Sequence, residues 1–176
     1  MSEIHLNTRE LPLEIPRLNA GDSLLLSGTV YTARDAAHAR LIQLLQQGEP
    51  LPFSLAGASV YYAGPTEAPP GRAIGSCGPT TSCRMDSFTP TLLDAGLCCM
   101  IGKGERSRAV IDSIIKNRAI YLCAIGGAGA LAAKCITSCE VIAFPELGCE
   151  SVKRLHFERF PLIVGIDCKG NSVFAR

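Results

Sequence analysis

The chain predicts an α/β protein with a partly parallel sheet, on three observations from its second half. Residues 97–101 (Leu-Cys-Cys-Met-Ile) and 119–125 (Ala-Ile-Tyr-Leu-Cys-Ala-Ile) are apolar at every position, as strands covered on both faces are. Between them, residues 105–117 place Val110, Ile111, Ile114 and Ile115 on one side of a helix. Strand, helix and strand in alternation favour parallel neighbours joined by crossovers.

The other elements can be read in order. Residues 1–22 carry two prolines and the turn Asn19-Ala20-Gly21-Asp22, which suggests an N-terminal arm or edge strand over about 1–20 and then a loop. Residues 23–32 read as a buried strand. Asp35 caps a helix that runs to Gln47 and stops at Gly48, with Ala37, Leu41, Leu44 and Leu45 on one face. Two short strands are expected at 58–63 and 73–77, separated by an exposed loop at 64–71. Thr89-Pro90 opens a helix, with Thr89 as N-cap, and Gly96 ends it. Residues 141–176 supply two or three further strands and a turn at 167–171.

With 176 residues, 47% of them apolar, the chain reads as a single domain over 1–176 with enough material for a core. A net charge of +1 with scattered basic residues argues against a nucleic-acid partner. The N-terminus has no basic segment leading into an apolar one, and the uncharged run at 119–133 falls short of the roughly 20 residues that cross a bilayer. A soluble, cytoplasmic protein without a membrane partner is the expectation. Nine cysteines, an odd number set mostly in apolar stretches, read as reduced thiols acting as small hydrophobes. Cys135 and Cys139 could form half of a metal site, but no second pair completes it, so no metal ligand is assigned to this chain.

The stretch from Cys77 to Asp86 (Cys-Gly-Pro-Thr-Thr-Ser-Cys-Arg-Met-Asp) carries the strongest chemical signal. A Gly-Pro turn, three hydroxyls (Thr80, Thr81, Ser82) and Arg84 suit an anion site, since arginine presents a planar fork to a carboxylate. Taken alone the stretch could equally be a hydroxyl-rich loop ending in a helix cap. Arg34 and Lys103 join it at the carboxyl ends of predicted strands, where ligands collect in open parallel sheets. Few carboxylates accompany them in the sequence, so the set suits a small dianion.

His38, four residues beyond Arg34, could carry protons or simply be a hydrogen-bonded core residue. Thr80 is a weak base without an activating neighbour. Residues 127–132 (Gly-Ala-Gly-Ala-Leu-Ala) fit a dinucleotide fingerprint, but lie late in the chain and lack a ribose-binding carboxylate; close helix–strand packing explains the glycines as well.

Several motifs in one order resemble a known family. They are Ser27-Gly-Thr, Ala33-Arg-Asp-Ala-Ala-His38, Gly64-Pro, Gly78-Pro-Thr-Thr-Ser-Cys-Arg-Met-Asp86, Ile101-Gly-Lys-Gly104, the run 121–131, Glu146-Leu-Gly and Phe160-Pro-Leu-Ile-Val-Gly-Ile-Asp167. Together they resemble the β subunit, or C-terminal β domain, of class I iron–sulfur fumarate hydratases, with the tartrate dehydratase β subunit a near relative. The resemblance implies a swivelling β/β/α domain and a hydro-lyase interconverting fumarate and malate. It also implies a partner α subunit that binds the catalytic [4Fe–4S] cluster, in a heterotetramer of two α and two β subunits, so that this chain alone would be inactive. By the same resemblance Arg34, Thr80, Thr81, Ser82, Arg84 and Lys103 hold the dicarboxylate substrate, and Thr80 is the catalytic hydroxyl. A tartrate dehydratase β subunit, a stand-alone carboxylate or nucleotide sensor, and a structural subunit with a degenerate site are the competing readings.

Overall fold

A computed structural model describes residues 3–125 and 129–174. Its sheet is organised on two long strands, β2 (Ser23–Thr32) and β7 (Val152–Ile166), which pair antiparallel from Ser23↔Ile163 to Thr32↔Lys153. On β2 the edge strand β1 (Ile4–Asn7) pairs parallel. Beyond β2 come β3 (Ser59–Tyr61), β4 (Cys99–Gly102) and β5 (Ile120–Cys123), each parallel to its neighbour. The end of β7 then pairs antiparallel with β5, and its start with β6 (Ile136–Ala143). Because β7 contacts both β2 and β5, the pairings close into a ring, β2–β3–β4–β5–β7. The fold is mixed α/β with parallel and antiparallel strands in one sheet.

Side chains that alternate along the parallel strands enter two separate cores. Tyr61, Ile101 and Leu122 join Leu24, Leu26, Phe157 and Phe160 in the first. Val60, Tyr62, Met100 and Tyr121 join the second, which packs against three helices: α2 (Asp35–Gln47), α3 (Thr89–Asp94) and α4 (Arg108–Asn117). Every residue of β3 and β4 is therefore buried, which is why 97–101 reads as an unbroken apolar run. Burying each large aliphatic side chain stabilises the fold by about 1.5–3 kcal/mol.

Several boundaries differ from expectation. Beyond β1, the first 22 residues form the short helix α1 (Leu11–Glu14) and a 3-10 turn at Ile15–Arg17, which bury Leu11, Ile15 and Leu18 in the first core. Residues 73–77 are loop, not strand. Thr66 N–H donates to Ser76 O, Ser76 N–H donates to Thr66 Oγ1, and Cys77 N–H donates to Gly129 O, so their backbone groups are taken without a ladder. Thr89 lies inside α3 rather than at its cap, because its hydroxyl donates to Met85 O. Helix α4 starts three residues later than expected, at a cap where Ser107 Oγ accepts from Val110 N–H. The C-terminal region holds one strand starting earlier, at Ile136, and the single long β7, with the expected turn after it pinned by Asp167 accepting from Lys169 and Asn171 N–H. The glycine turn leading to α5 (Gly129–Lys134) lies partly outside the described residues, so the dinucleotide fingerprint at 127–132 is described only from Gly129 on. Among the described residues no helix is long and apolar enough to cross a membrane.

Candidate functional site

Two of the basic residues follow parallel strands directly: Arg34 comes after β2 and Lys103 after β4. The hydroxyl-rich stretch follows no strand. It lies instead across the ends of β3 and β4, where Thr80 N–H donates to Tyr62 O at 2.7 Å and Thr81 bridges Lys103 in parallel fashion. Ser82 N–H donates to Lys103 O at 2.9 Å. The backbone thus brings the stretch and Lys103 together, and a 3-10 turn at Ser82–Met85 directs Arg84 back towards α2.

At the start of α2, Arg34 occupies the cap position with extended backbone, and Asp35 is the first helical residue. Arg84 Nε donates to Asp35 Oδ1 at 3.0 Å, and Nη2 stands 2.9 Å from Oδ2. The remaining terminal nitrogen, Nη1, donates to Thr80 Oγ1 at 3.4 Å. Arg34 lies across Gly64, where a side chain would put its Cβ 2.9 Å from Nη1, so this position admits only glycine without displacing the guanidinium. Its Nε is buried, 4.0 Å from Glu150 Oε1. The sequence suggested few carboxylates near the arginines; the fold corrects this by placing Asp35 against Arg84 and Glu150 against Arg34. Lys103 has no carboxylate within ion-pair distance among the described residues.

Ser82, grouped in sequence with the exposed hydroxyls, is fully buried. Lys103 N–H donates to its Oγ at 3.0 Å, and Tyr121 Oη lies 2.9 Å away. Tyr121 Oη is also 2.8 Å from Gly104 O, which can only accept. The single phenolic proton therefore goes to Gly104, and Ser82 donates into Tyr121 Oη. This chain of donors runs from the amide of Lys103 to the carbonyl of Gly104 and fixes the backbone on both sides of the lysine. Gly102 makes room for it, since a Cβ there would lie 2.0 Å from Ser82 Oγ.

His38 is fully buried, with Nδ1 2.8 Å from Arg34 O, packed edge-on to Tyr62 and tilted against Phe88. A carbonyl accepts only, so Nδ1 carries the proton. Nε2 has no partner among the described residues. Burial lowers the imidazole to about 4, so near neutral pH it is an uncharged support for the Arg34 turn.

Sequence reasoning missed a second layer. Arg106, its side chain fully buried, pairs with Asp86 at 2.7 Å, donates to Thr89 Oγ1 at 2.8 Å, and lies against the rings of Tyr62 and Tyr121. Asp86 also accepts from Ser107 N–H. On the other side, Lys153 Nζ donates to Gly148 O, Cys149 O, Ser151 O and Ser151 Oγ, clamping the 3-10 turn Pro145–Glu150 that carries Glu150. The adjacency of Asp86 to the Thr-Thr-Ser-Cys-Arg stretch was a signal for the first network. Nothing in sequence marked Lys153.

Burial raises the thiol of Cys98 to about 11 and that of Cys77 to about 12, and Cys99 well above its ordinary value. Among the described residues no group of three or more His, Cys, Asp or Glu side chains converges. An apolar cavity of about 280 Å³ between Ala124, Leu131, Phe160 and Pro161 is edged by Lys134 and includes none of Arg34, Arg84 and Lys103.

In this mixed α/β protein Arg34 and Lys103 follow β2 and β4, and the hydroxyl-rich stretch carrying Arg84 lies across the ends of β3 and β4. Its family follows from comparison with known proteins. The family model for the fumarase C-terminus matches residues 1–176, and the chain belongs to that family. It is 37% identical over 187 residues to fumarate hydratase 2 of Leishmania major, covering 99% of this chain and 33% of that protein. It is 40% identical over 168 residues to the aerobic class I fumarate hydratase of Escherichia coli K12, covering 94% of this chain and 31% of that protein. The L(+)-tartrate dehydratase subunit beta of E. coli K12 is 34% identical, and there the match covers 92% of this chain and 82% of the relative. The chain thus spans about a third of the length of the fumarate hydratases it matches, and most of the tartrate dehydratase subunit.

Proposed function

We propose that this chain is the β subunit of a class I fumarate hydratase, catalysing the reversible hydration of fumarate to malate with a [4Fe–4S] cluster carried by an α subunit. The observation that carries the reading is the gathering of Thr80, Thr81, Arg84 and Lys103 at the ends of β3 and β4, with Arg34 entering beside Asp35. In this reading Arg34, Arg84 and Lys103 bind the two carboxylates, with Thr81 beside Lys103. Lys103, flanked by fixed backbone and without a competing carboxylate among the described residues, is the point-charge anchor; the arginines are the directional ones. Ser82 holds Lys103 in place rather than meeting the ligand.

Adding hydroxide to the double bond, or in the reverse direction taking the proton from the carbon beside a carboxylate, builds negative charge on that carboxylate's oxygens. Fixed Arg and Lys donors stabilise this charge more than they stabilise the ground state. Thr80 Oγ1 accepts from Arg84 Nη1, which leaves its own proton free to be given to the carbanion-like carbon in the hydration direction. The group that activates Thr80 comes from the α subunit, which closes against this swivelling domain. The cluster, held by the partner, would supply Lewis-acid chemistry when present; among the described residues of this chain no group of three or more metal-binding side chains converges.

L-tartrate dehydration is the second reading, supported by the match to the tartrate dehydratase subunit beta at 34% identity over 92% of this chain. Anaerobic co-purification of the tagged chain from its host, assayed at once for fumarate hydration and tartrate dehydration, separates the two. In the assembled enzyme Arg84→Ala should lower turnover by about 10²-fold or more, as removal of one charge-stabilising donor does, with the β fold intact by circular dichroism. Wild-type turnover in that variant would remove Arg84 from the site.

A further inference from the structure

We propose that Asp35 is a positioning residue: it holds Arg84 by one edge of the guanidinium so that the opposite nitrogen is presented to Thr80 and the substrate carboxylate. The inference rests on the proposed anion site, and it adds a carboxylate to a place where only cations and hydroxyls were expected. Arginine has five N–H donors in a planar fork. In this structure Nε and Nη2 face Asp35, at 3.0 and 2.9 Å, while Nη1 faces Thr80 Oγ1 at 3.4 Å. Half of the Arg84 side chain is exposed, so without Asp35 only the 3.4 Å contact to Thr80 among its described partners would oppose its rotation into solvent. Asp35 is itself fixed as the first residue of α2, where an acidic group suits the helix N-terminus. The same short segment sets the neighbouring Arg34, whose carbonyl is held by His38.

The arrangement has opposite effects on binding and on turnover. Asp35 cancels part of the charge of Arg84, weakening the attraction for a dianion in the ground state. At the same time it fixes the direction of the fork, which matters when charge moves onto the carboxylate. Asp35→Asn should therefore lower kcat by about 10- to 100-fold, the range expected for a misplaced catalytic contact, while KM stays level or falls. Asp35→Glu, which keeps the carboxylate, should recover part of the lost kcat. Combined with Arg84→Ala, Asp35→Asn should cost no further turnover, because the residue it positions is gone.

The test is a double-mutant cycle on kcat and KM in the enzyme assembled with its α subunit, paired with ¹⁵N NMR of the arginine Nε–H groups in the full chain. In the spectra the Arg84 signal, assigned with Arg84→Lys, should exchange slowly in the wild type and rapidly in Asp35→Asn. Multiplicative losses in the cycle, or an Asp35→Asn enzyme with raised KM and unchanged kcat, would overturn the role. So would an Nε–H signal that ignores the substitution. The NMR arm is independent of activity, so failure of the assembled enzyme to act on fumarate or tartrate would count against the proposed function while Asp35 is still decided by the spectra.

Discussion

Acidification should unfold this protein in part through His38. Burial lowers this imidazole from 6.5 to about 4, opposed by its bond to the Arg34 carbonyl and reinforced by the charge of Arg106. A group with a lowered folded-state pKa binds fewer protons folded than unfolded, so stability rises with pH across the interval between the two values. The contribution is complete above about 6.5, and is lost as pH falls towards 4. At about 1.4 kcal/mol for each tenfold change, the loss between pH 7 and pH 4.5 comes to about 2–3 kcal/mol. The substitution His38→Gln removes the titration while retaining an N–H that can reach Arg34 O. Urea unfolding of both proteins at several pH values isolates the histidine, because the carboxylates that also titrate are common to both. The wild type should lose about 2–3 kcal/mol more than the variant over this range. Parallel pH profiles would refute the argument, and would mean that Nε2 reaches a partner or water when protonated.

Two further substitutions probe the layers around the site. Ser82→Ala leaves Lys103 N–H without its acceptor and Tyr121 Oη with Gly104 O alone, at a cost of about 1–3 kcal/mol, and the Lys103 amide should exchange with solvent faster; an unchanged exchange rate would remove Ser82 from the support of Lys103. Asp86→Asn leaves the Arg106 charge buried without its counter-ion, and should destabilise by about 3–5 kcal/mol. High salt should leave that loss unchanged, since a buried pair is poorly screened, whereas a loss below about 1 kcal/mol would mean that Thr89 and the two tyrosine rings suffice for Arg106.

Much of the site was legible because it is local. Thr80, Thr81 and Arg84 share one short stretch, and Gly-Lys-Gly follows an apolar strand, so residue type and spacing were enough to nominate them. Ser82 was nominated by the same adjacency, yet its side chain turns inward, since a hydroxyl's direction depends on the backbone of a 3-10 turn that no periodicity announces. Asp35 was read as a helix cap, and its partner Arg84 is 49 residues away. Glu150 approaches Arg34 from still further along the chain, on a turn that Lys153 clamps.

Hydrophobic patterning by itself determined the parallel strands and the helices α2 and α4, because burial on two faces or on one leaves its period in the sequence. Tertiary structure alone decided that β7 pairs with both β2 and β5 and closes the ring, since backbone pairing does not depend on which side chains the strands carry. It also decided which carboxylate meets which arginine. Electrostatic partners are set by distance in space, and the fold brings Asp35 to Arg84 and Asp86 to Arg106 only once the strands between them have been laid side by side.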